Sequence, residues 1–83
     1  MNRQEVFGGA RKVMARVFNV EPALFSDETQ AIDVVGWDSL SHLILISGLE
    51  KQFDVELPLD KAHAAQNVGE LVDLIYTCLQ AAA

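Results

Sequence analysis

Residues 36 to 40 read Gly36-Trp37-Asp38-Ser39-Leu40, and the chain continues through Ser41-His42-Leu43-Ile44-Leu45-Ile46-Ser47-Gly48 to Leu49-Glu50-Lys51-Gln52-Phe53, followed by Val55-Glu56-Leu57-Pro58. The unbroken apolar run from Leu43 to Ile46 would by itself suit a strand. The segment from Ser39 to Phe53 is longer than a typical strand, and it carries helix punctuation: Asp38 and Ser39 are preferred capping residues in front, and Pro58 lies behind. A proline drives the residue before it away from helical backbone, so the helix must stop short of Pro58. A helix over about Ser39 to Phe53 is predicted. At about 100° per residue it turns Leu45, Ile46, Leu49 and Phe53 to one broad face, with Leu43 at the edge, and this face is assigned to the core. Leu40, Ile44, Ser47 and Lys51 recur at steps of four, three and four on a stripe pointing roughly the opposite way, where partners can reach them.

Upstream, periodicity is absent from Asn19 to Asp38, where Pro22, Ser26, Asp27 and Gly36 act as breakers. A connection of that length is uncommon in a small domain, so it needs apolar anchors of its own. Leu24, Phe25, Ile32 and Val34 are the candidates. Before the loop, Val6, Phe7, Ala10, Val13, Met14, Val17 and Phe18 recur at helical spacing between Glu5 and Phe18. Gly8 and Gly9 weaken this first helix by up to about 1 kcal/mol each relative to alanine, which predicts frayed first turns or close packing against a neighbour. Downstream, Asp60 to Ala65 suffices for one or two turns. Asn67 opens the last helix with Glu70 at capping-box spacing, and Val68, Leu71, Val72, Ile75 and Leu79 share one face. Cys78 falls beside that stripe and reads as a small buried hydrophobe. The Ala81 to Ala83 tail is expected to fray. The predicted fold is all-α: a bundle of three main helices and one short third helix, with a long loop between helices one and two.

The 83 residues fit one domain, 1–83, and 51 % of them are hydrophobic, enough apolar surface to offset the entropy of folding. A domain this size buries about 60 to 65 % of its unfolded surface and has little structure from which to wall off a catalytic pocket. The net charge of −6 repels phosphate backbones and anionic lipid, so neither nucleic acid nor a membrane is an expected partner. The charge is unevenly spread: residues 1–18 carry four bases against one acid, and residues 19–83 carry two bases against eleven acids. Cys78 is the single cysteine and has no internal disulfide partner, and no leader or long apolar run is visible, so a cytoplasmic monomer is expected. His42 and His63 lack companions at metal-ligand spacing, which assigns them to ordinary surface or boundary positions and predicts no metal site.

The Asp38-Ser39-Leu40 junction heads the second helix, and Leu49-Glu50-Lys51-Gln52-Phe53 ends it. With the long loop before it, the short third helix and the amphipathic fourth, the chain resembles the acyl carrier protein family over nearly its whole length. Asp-Ser-Leu alone is a weak signal; its place in that register makes it specific. The resemblance implies a four-helix carrier bundle that is not an enzyme. It implies Ser39 as the attachment point of a 4'-phosphopantetheine arm, because the family motif falls on Asp38, Ser39 and Leu40 without a gap. A phosphopantetheinyl transferase would supply the arm from coenzyme A, a loading enzyme the acyl or aminoacyl group, and a downstream synthase or transferase would consume it. In such transferase complexes the acid before the serine lies near the magnesium–pyrophosphate centre, which gives Asp38 a role in transferase and magnesium recognition. The physics of the position agrees, since a helix N-terminus offers unpaired N–H groups and a positive dipole end to a phosphodiester.

Two other readings compete. In the first, Asp38 and Ser39 are simply caps, a role compatible with modification. Asp38, Ser39 and His42 also suggest a nucleophile with its base, yet a triad needs an orienting acid beyond the base, an oxyanion hole and a pocket that this chain cannot readily enclose. Trp37 is expected to anchor the loop and shape the approach to Ser39. The sequence departs from many fatty-acid-type carriers in having no acid between Asp38 and Glu50, where Ser41, His42, Ile44, Ser47 and Lys51 stand instead. The expectation is a free-standing acyl carrier serving a specialised route such as polyketide or modified acyl metabolism. An aminoacyl or peptidyl carrier, or an unmodified carrier-like docking module, is the alternative.

Overall fold

In the computed structural model, which describes residues 1–82, Asn2 and Glu5 exchange hydrogen bonds. The Glu5 N–H donates to Asn2 Oδ1 at 2.8 Å and the Asn2 N–H to Glu5 Oε1 at 3.0 Å. This reciprocal cap starts α1 at Arg3, ahead of the apolar periodicity, and α1 (Arg3–Phe18) closes on Asn19 in left-handed backbone at φ 56°. Its buried residues Val6, Ala10, Val13 and Met14 follow the predicted spacing. Gly9 does not fray: a Cβ there would lie 2.8 Å from the Phe53 ring, so the glycine is what lets the second long helix approach.

That helix, α2 (Ser39–Phe53), has the predicted bounds and buries Leu45, Ile46, Leu49 and Phe53. It ends on Asp54 in left-handed backbone, after which the Leu57 N–H donates to the Glu50 carboxylate at 2.9 Å and sends the chain toward Pro58. The short helix α3 (Leu59–Ala64) begins one residue earlier than expected, because Pro58 serves as its N-cap and the Ala62 N–H reaches the Pro58 carbonyl at 2.9 Å. α4 (Val68–Ala82) is capped by Asn67, whose Oδ1 accepts the Glu70 N–H at 2.8 Å, while the Glu70 carboxylate accepts from Gln66 rather than closing on Asn67 itself. The tail expected to fray is helical through Ala82, and Ala83 lies outside the described residues. Cys78 is half-buried against the core rather than fully enclosed. Among the described residues there is no strand, so the architecture is the predicted all-α bundle of four helices.

The loop from Asn19 to Asp38 is held differently from expectation. Phe25 is fully buried and Val34 and Trp37 pack against the core, but Leu24 and Ile32 are 65 % and 88 % exposed. Both lie in three-residue 3₁₀ turns, Pro22–Leu24 and Ala31–Asp33, in which consecutive side chains point a third of a turn apart and cannot all face inward. Polar bonds do the remaining work. The Thr29 and Asp27 carbonyls accept the Val68 and Gly69 N–H groups at 2.8 and 2.9 Å, so the loop satisfies the first donors of α4. Arg11 donates to the Phe25 carbonyl at 3.0 Å, and Arg3 reaches Asp27, Asp73 and the Gly69 carbonyl. Leu49 and Ile75 sit at the centre of the core with no exposure. Truncating either to alanine should destabilise the bundle by roughly 2 to 5 kcal/mol. Urea denaturation followed by circular dichroism checks this, and near-neutral midpoints would show that these faces do not make the core.

Candidate functional site

The start of α2 is built from hydrogen bonds between near neighbours. Gly36 takes φ 89°, a conformation that side chains rarely adopt, and turns its carbonyl to the Ser41 hydroxyl, which donates to it at 2.6 Å. The Ser41 N–H donates to Asp38 Oδ1 at 2.9 Å, and the Asp38 N–H donates to Ser41 Oγ at 2.8 Å. Asp38 is thereby the N-cap and Ser39 the first helical residue. The Ser41 N–H above all, with further help from the Ser41 hydroxyl and the Leu40 N–H, holds the Asp38 carboxyl below its usual range. Ser39 is exposed, and among the described residues its hydroxyl has no hydrogen-bond partner. Its oxygen lies at the positive end of a 15-residue helix whose first N–H groups lack intrahelical acceptors, a setting suited to a covalently held phosphate.

Beside Ser39 opens a cleft of about 270 Å³, lined among others by Trp37, Asp38, His42, His63 and Leu71. Trp37 lies half-buried with its ring 5.1 Å from Phe18, so it anchors the loop as expected. Its indole N–H points at His42 Nδ1, 3.1 Å away, and His42 Nε2 lies 3.2 Å from the Ala62 carbonyl. His42 and Asp38 are both committed elsewhere, His42 to Trp37 and Ala62 and Asp38 to Ser41, so the three residues do not assemble a nucleophile and its base. Among the described residues no group of three His, Cys, Asp or Glu could hold a metal ion, and no helix is long and apolar enough to cross a membrane.

Along the rest of α2, Leu40 and Ile44 are 69 % and 54 % exposed, and Ser47 and Lys51 are exposed on the same stripe. A shallow groove runs next to it between Leu43, Ser47 and Glu50 on one side and Leu57 and Leu59 on the other. Within α2 no acid follows the Asp38 cap until Glu50, whose carboxylate is engaged by the Leu57 N–H.

The family profile described as a phosphopantetheine attachment site matches residues 10–75, which contain this whole arrangement. The chain belongs to the acyl carrier protein family. Its relatives include the acyl carrier proteins of Phenylobacterium zucineum, 32 % identical over 86 % of this chain and 90 % of that one, and of Clostridium acetobutylicum, 33 % identical over 84 % and 91 %. The solution NMR structure of a holo acyl carrier protein from Geobacter metallireducens superposes with a TM-score of 0.83 at 31 % identity, covering 93 % of this chain and 88 % of that one. The family's members carry groups rather than transform them, and its prosthetic group is 4'-phosphopantetheine. The exposed serine at a helix N-terminus fits a phosphodiester-linked group of that kind.

Sequence reasoning missed two parts of this site. From the sequence Ser41 is only a neutral surface residue, although Asp38 and Ser41 stand at the spacing of a reciprocal cap. The bridge from Trp37 through His42 to Ala62 has no sequence signature, because its far end is a backbone carbonyl.

The lowered Asp38 carboxyl gives a pH dependence of known sign. A carboxylate held below its ordinary value stabilises the fold above the ordinary aspartate range, and that stabilisation is lost as pH falls through it. Asp38→Asn should therefore flatten part of the decline in urea midpoint from about pH 5 downward, through the ordinary aspartate value and the lowered one. Parallel acid declines in wild type and variant would show that the cap does not depend on charge.

Proposed function

We propose that this chain is an acyl carrier whose Ser39 bears the 4'-phosphopantetheine arm, working as one domain in the cytoplasm. The observation that supports this most directly is the exposed, unbonded Ser39 hydroxyl at the first position of α2, in the middle of the matched family span. Among the described residues no base is directed at it, so a phosphopantetheinyl transferase must supply the base. The Ser39 oxygen forms the new phosphodiester bond, adenosine bisphosphate leaves coenzyme A, and the hydroxyl proton passes to the transferase. Asp38, exposed and ionised, offers an oxygen to the magnesium ion of that reaction. Once attached, the arm holds acyl groups as thioesters on its terminal thiol.

Loading and downstream enzymes meet the stripe of Leu40, Ile44, Ser47 and Lys51 in this reading. Two of its members are large exposed hydrophobics, and no acid precedes Glu50 on the helix, so the partner surface is apolar rather than strongly basic. Such docking suits a dedicated route carrying polyketide or modified acyl cargo. Aminoacyl or peptidyl cargo is the second reading, favoured by the same neutral helix.

Intact mass after incubation with coenzyme A, magnesium and a broad-specificity transferase tests the attachment. Wild type should gain one arm, and Ser39→Ala should gain none while keeping its helical spectrum, since the change removes a surface oxygen only. Full modification of the alanine variant would move the site to another residue, and an unmodified wild type would make the chain a docking module. Ile44→Glu tests the surface: stability should change by less than about 0.5 kcal/mol while binding to the cognate enzyme weakens. Wild-type binding should vary little with salt, since few exposed ion pairs would be screened. Strong salt sensitivity with no penalty from Ile44→Glu would assign recognition to the acidic loop or to the α3 region.

A further inference from the structure

We propose that His42 is a positioning residue, locked as a neutral imidazole protonated on Nε2, and that it forms a proton-sensitive latch joining the three elements around Ser39. The argument rests on donors and acceptors. The Trp37 indole nitrogen can only donate, so at 3.1 Å His42 Nδ1 must be the bare acceptor nitrogen. The ring proton is then on Nε2, where the Ala62 carbonyl, which can only accept, lies 3.2 Å away. Both bonds are made by one tautomer of the neutral ring.

Each bond satisfies a group with little alternative. α3 has six residues, too few to be stable alone, and the helical partner of the Ala62 carbonyl would be the Gln66 N–H, which donates to Glu70 instead. His42 reaches across from α2 and takes that place, as a histidine near a helix C-terminus can. On the other side it holds Trp37, which packs on Phe18 of α1 and is the residue immediately before the Asp38 cap. The loop, the first turn of α2 and the end of α3 are thereby fixed to one imidazole, and Trp37 and His42 themselves line the cleft beside Ser39.

Protonation of Nδ1 would set two N–H donors against each other and break the Trp37 bond, while the Nε2–H bond to Ala62 could persist. Other titratable groups around the latch are His63 on α3, whose ring centroid is 5.2 Å away, and the Asp38 carboxylate lining the cleft. Both ion pairs among the described residues belong to Arg3, so no carboxylate is paired with His42 to hold a charged ring in place. Acid should release Trp37 and loosen the loop before Ser39.

The first test is the tautomer. Proton–nitrogen correlation spectra of the isotope-labelled full chain at about pH 8 should show His42 protonated on Nε2 with Nδ1 bare. A proton on Nδ1, or averaging between the two forms, overturns the proposal. Trp37 is the only tryptophan, so emission on acidification reports on its surroundings, and the variants assign the responsible group. Wild type and His63→Gln should show an emission transition. His42→Gln should not, since its amide can accept from Trp37 and donate to Ala62 without titrating. A transition that survives in His42→Gln, or vanishes in His63→Gln, assigns the event to another group and overturns the latch. The last arm rests on the Ser39 reading: arm transfer to His42→Gln should stay within about twofold of wild type, and transfer to His42→Ala should slow about fivefold or more. A glutamine variant as slow as the alanine variant overturns the positioning role. Modification of Ser39→Ala would instead remove the attachment reading and leave the tautomer and emission results standing.

Discussion

The reciprocal hydrogen bonds between Asp38 and Ser41 decide where α2 begins, and with that they decide what every later residue of the helix faces. A helix advances about 100° per residue, so a start displaced by one position would carry part of the Leu45, Ile46, Leu49 and Phe53 face away from the core. The cap is held in turn by the Ser41 hydroxyl on the Gly36 carbonyl, possible because Gly36 accepts left-handed backbone. One local arrangement therefore sets the exposed Ser39 oxygen, the buried face opposite it and the direction of the incoming loop. Exposure of the serine and packing of the bundle are not independent features of this chain.

The same economy of polar groups appears at the other helix ends. A bundle of this size has four helix N-termini, each with N–H groups that no residue of its own helix can satisfy. α1 and α2 solve this with local side chains, whereas α4 draws on Asn67 and on the Thr29 and Asp27 carbonyls of the distant loop. The loop is long because it must pass from the end of α1, across the start of α4, to the start of α2. Arg3 ties that crossing to the N-terminal helix through Asp27 and Asp73, which is how the basic first segment and the acidic remainder of the chain meet. These pairs are more than a third exposed, so their Coulomb energy is screened by water and their value is chiefly in fixing register.

Periodicity made the helices legible: the buried sets of α1 and α2 and the face of α4 were all spaced at three and four in the sequence. The Asp-Ser-Leu junction made the candidate serine legible because its place relative to Phe53 and Pro58 is a matter of counting. Leu24 and Ile32 were not legible, because an apolar residue in a stretch without period carries no information about which way it points. Phe25, one residue after Leu24, took the buried position that Leu24 was expected to share. The His42 bridge was hidden for a different reason. Its partners are five positions before it and twenty after it, and one of them is a carbonyl that any residue could have supplied.

Because the buried and exposed faces of α2 are set by one phase, the exposed stripe can change in composition without cost to the core. Leu40, Ile44, Ser47 and Lys51 make no contribution to the packed cluster of Leu45, Ile46 and Leu49, so acid, neutral or apolar side chains would all leave the fold intact. The chain nonetheless keeps its net charge of −6, with its acids in the loop, at the end of α2 and on α3 and α4. On α2 itself those acids lie at the far end from Ser39, and the large exposed side chains of the stripe, Leu40 and Ile44, are apolar. Under the proposed carrier reading, Leu40 and Ile44 would select among partners by apolar contact, a choice that can change without repacking the core because the two faces of α2 are separate.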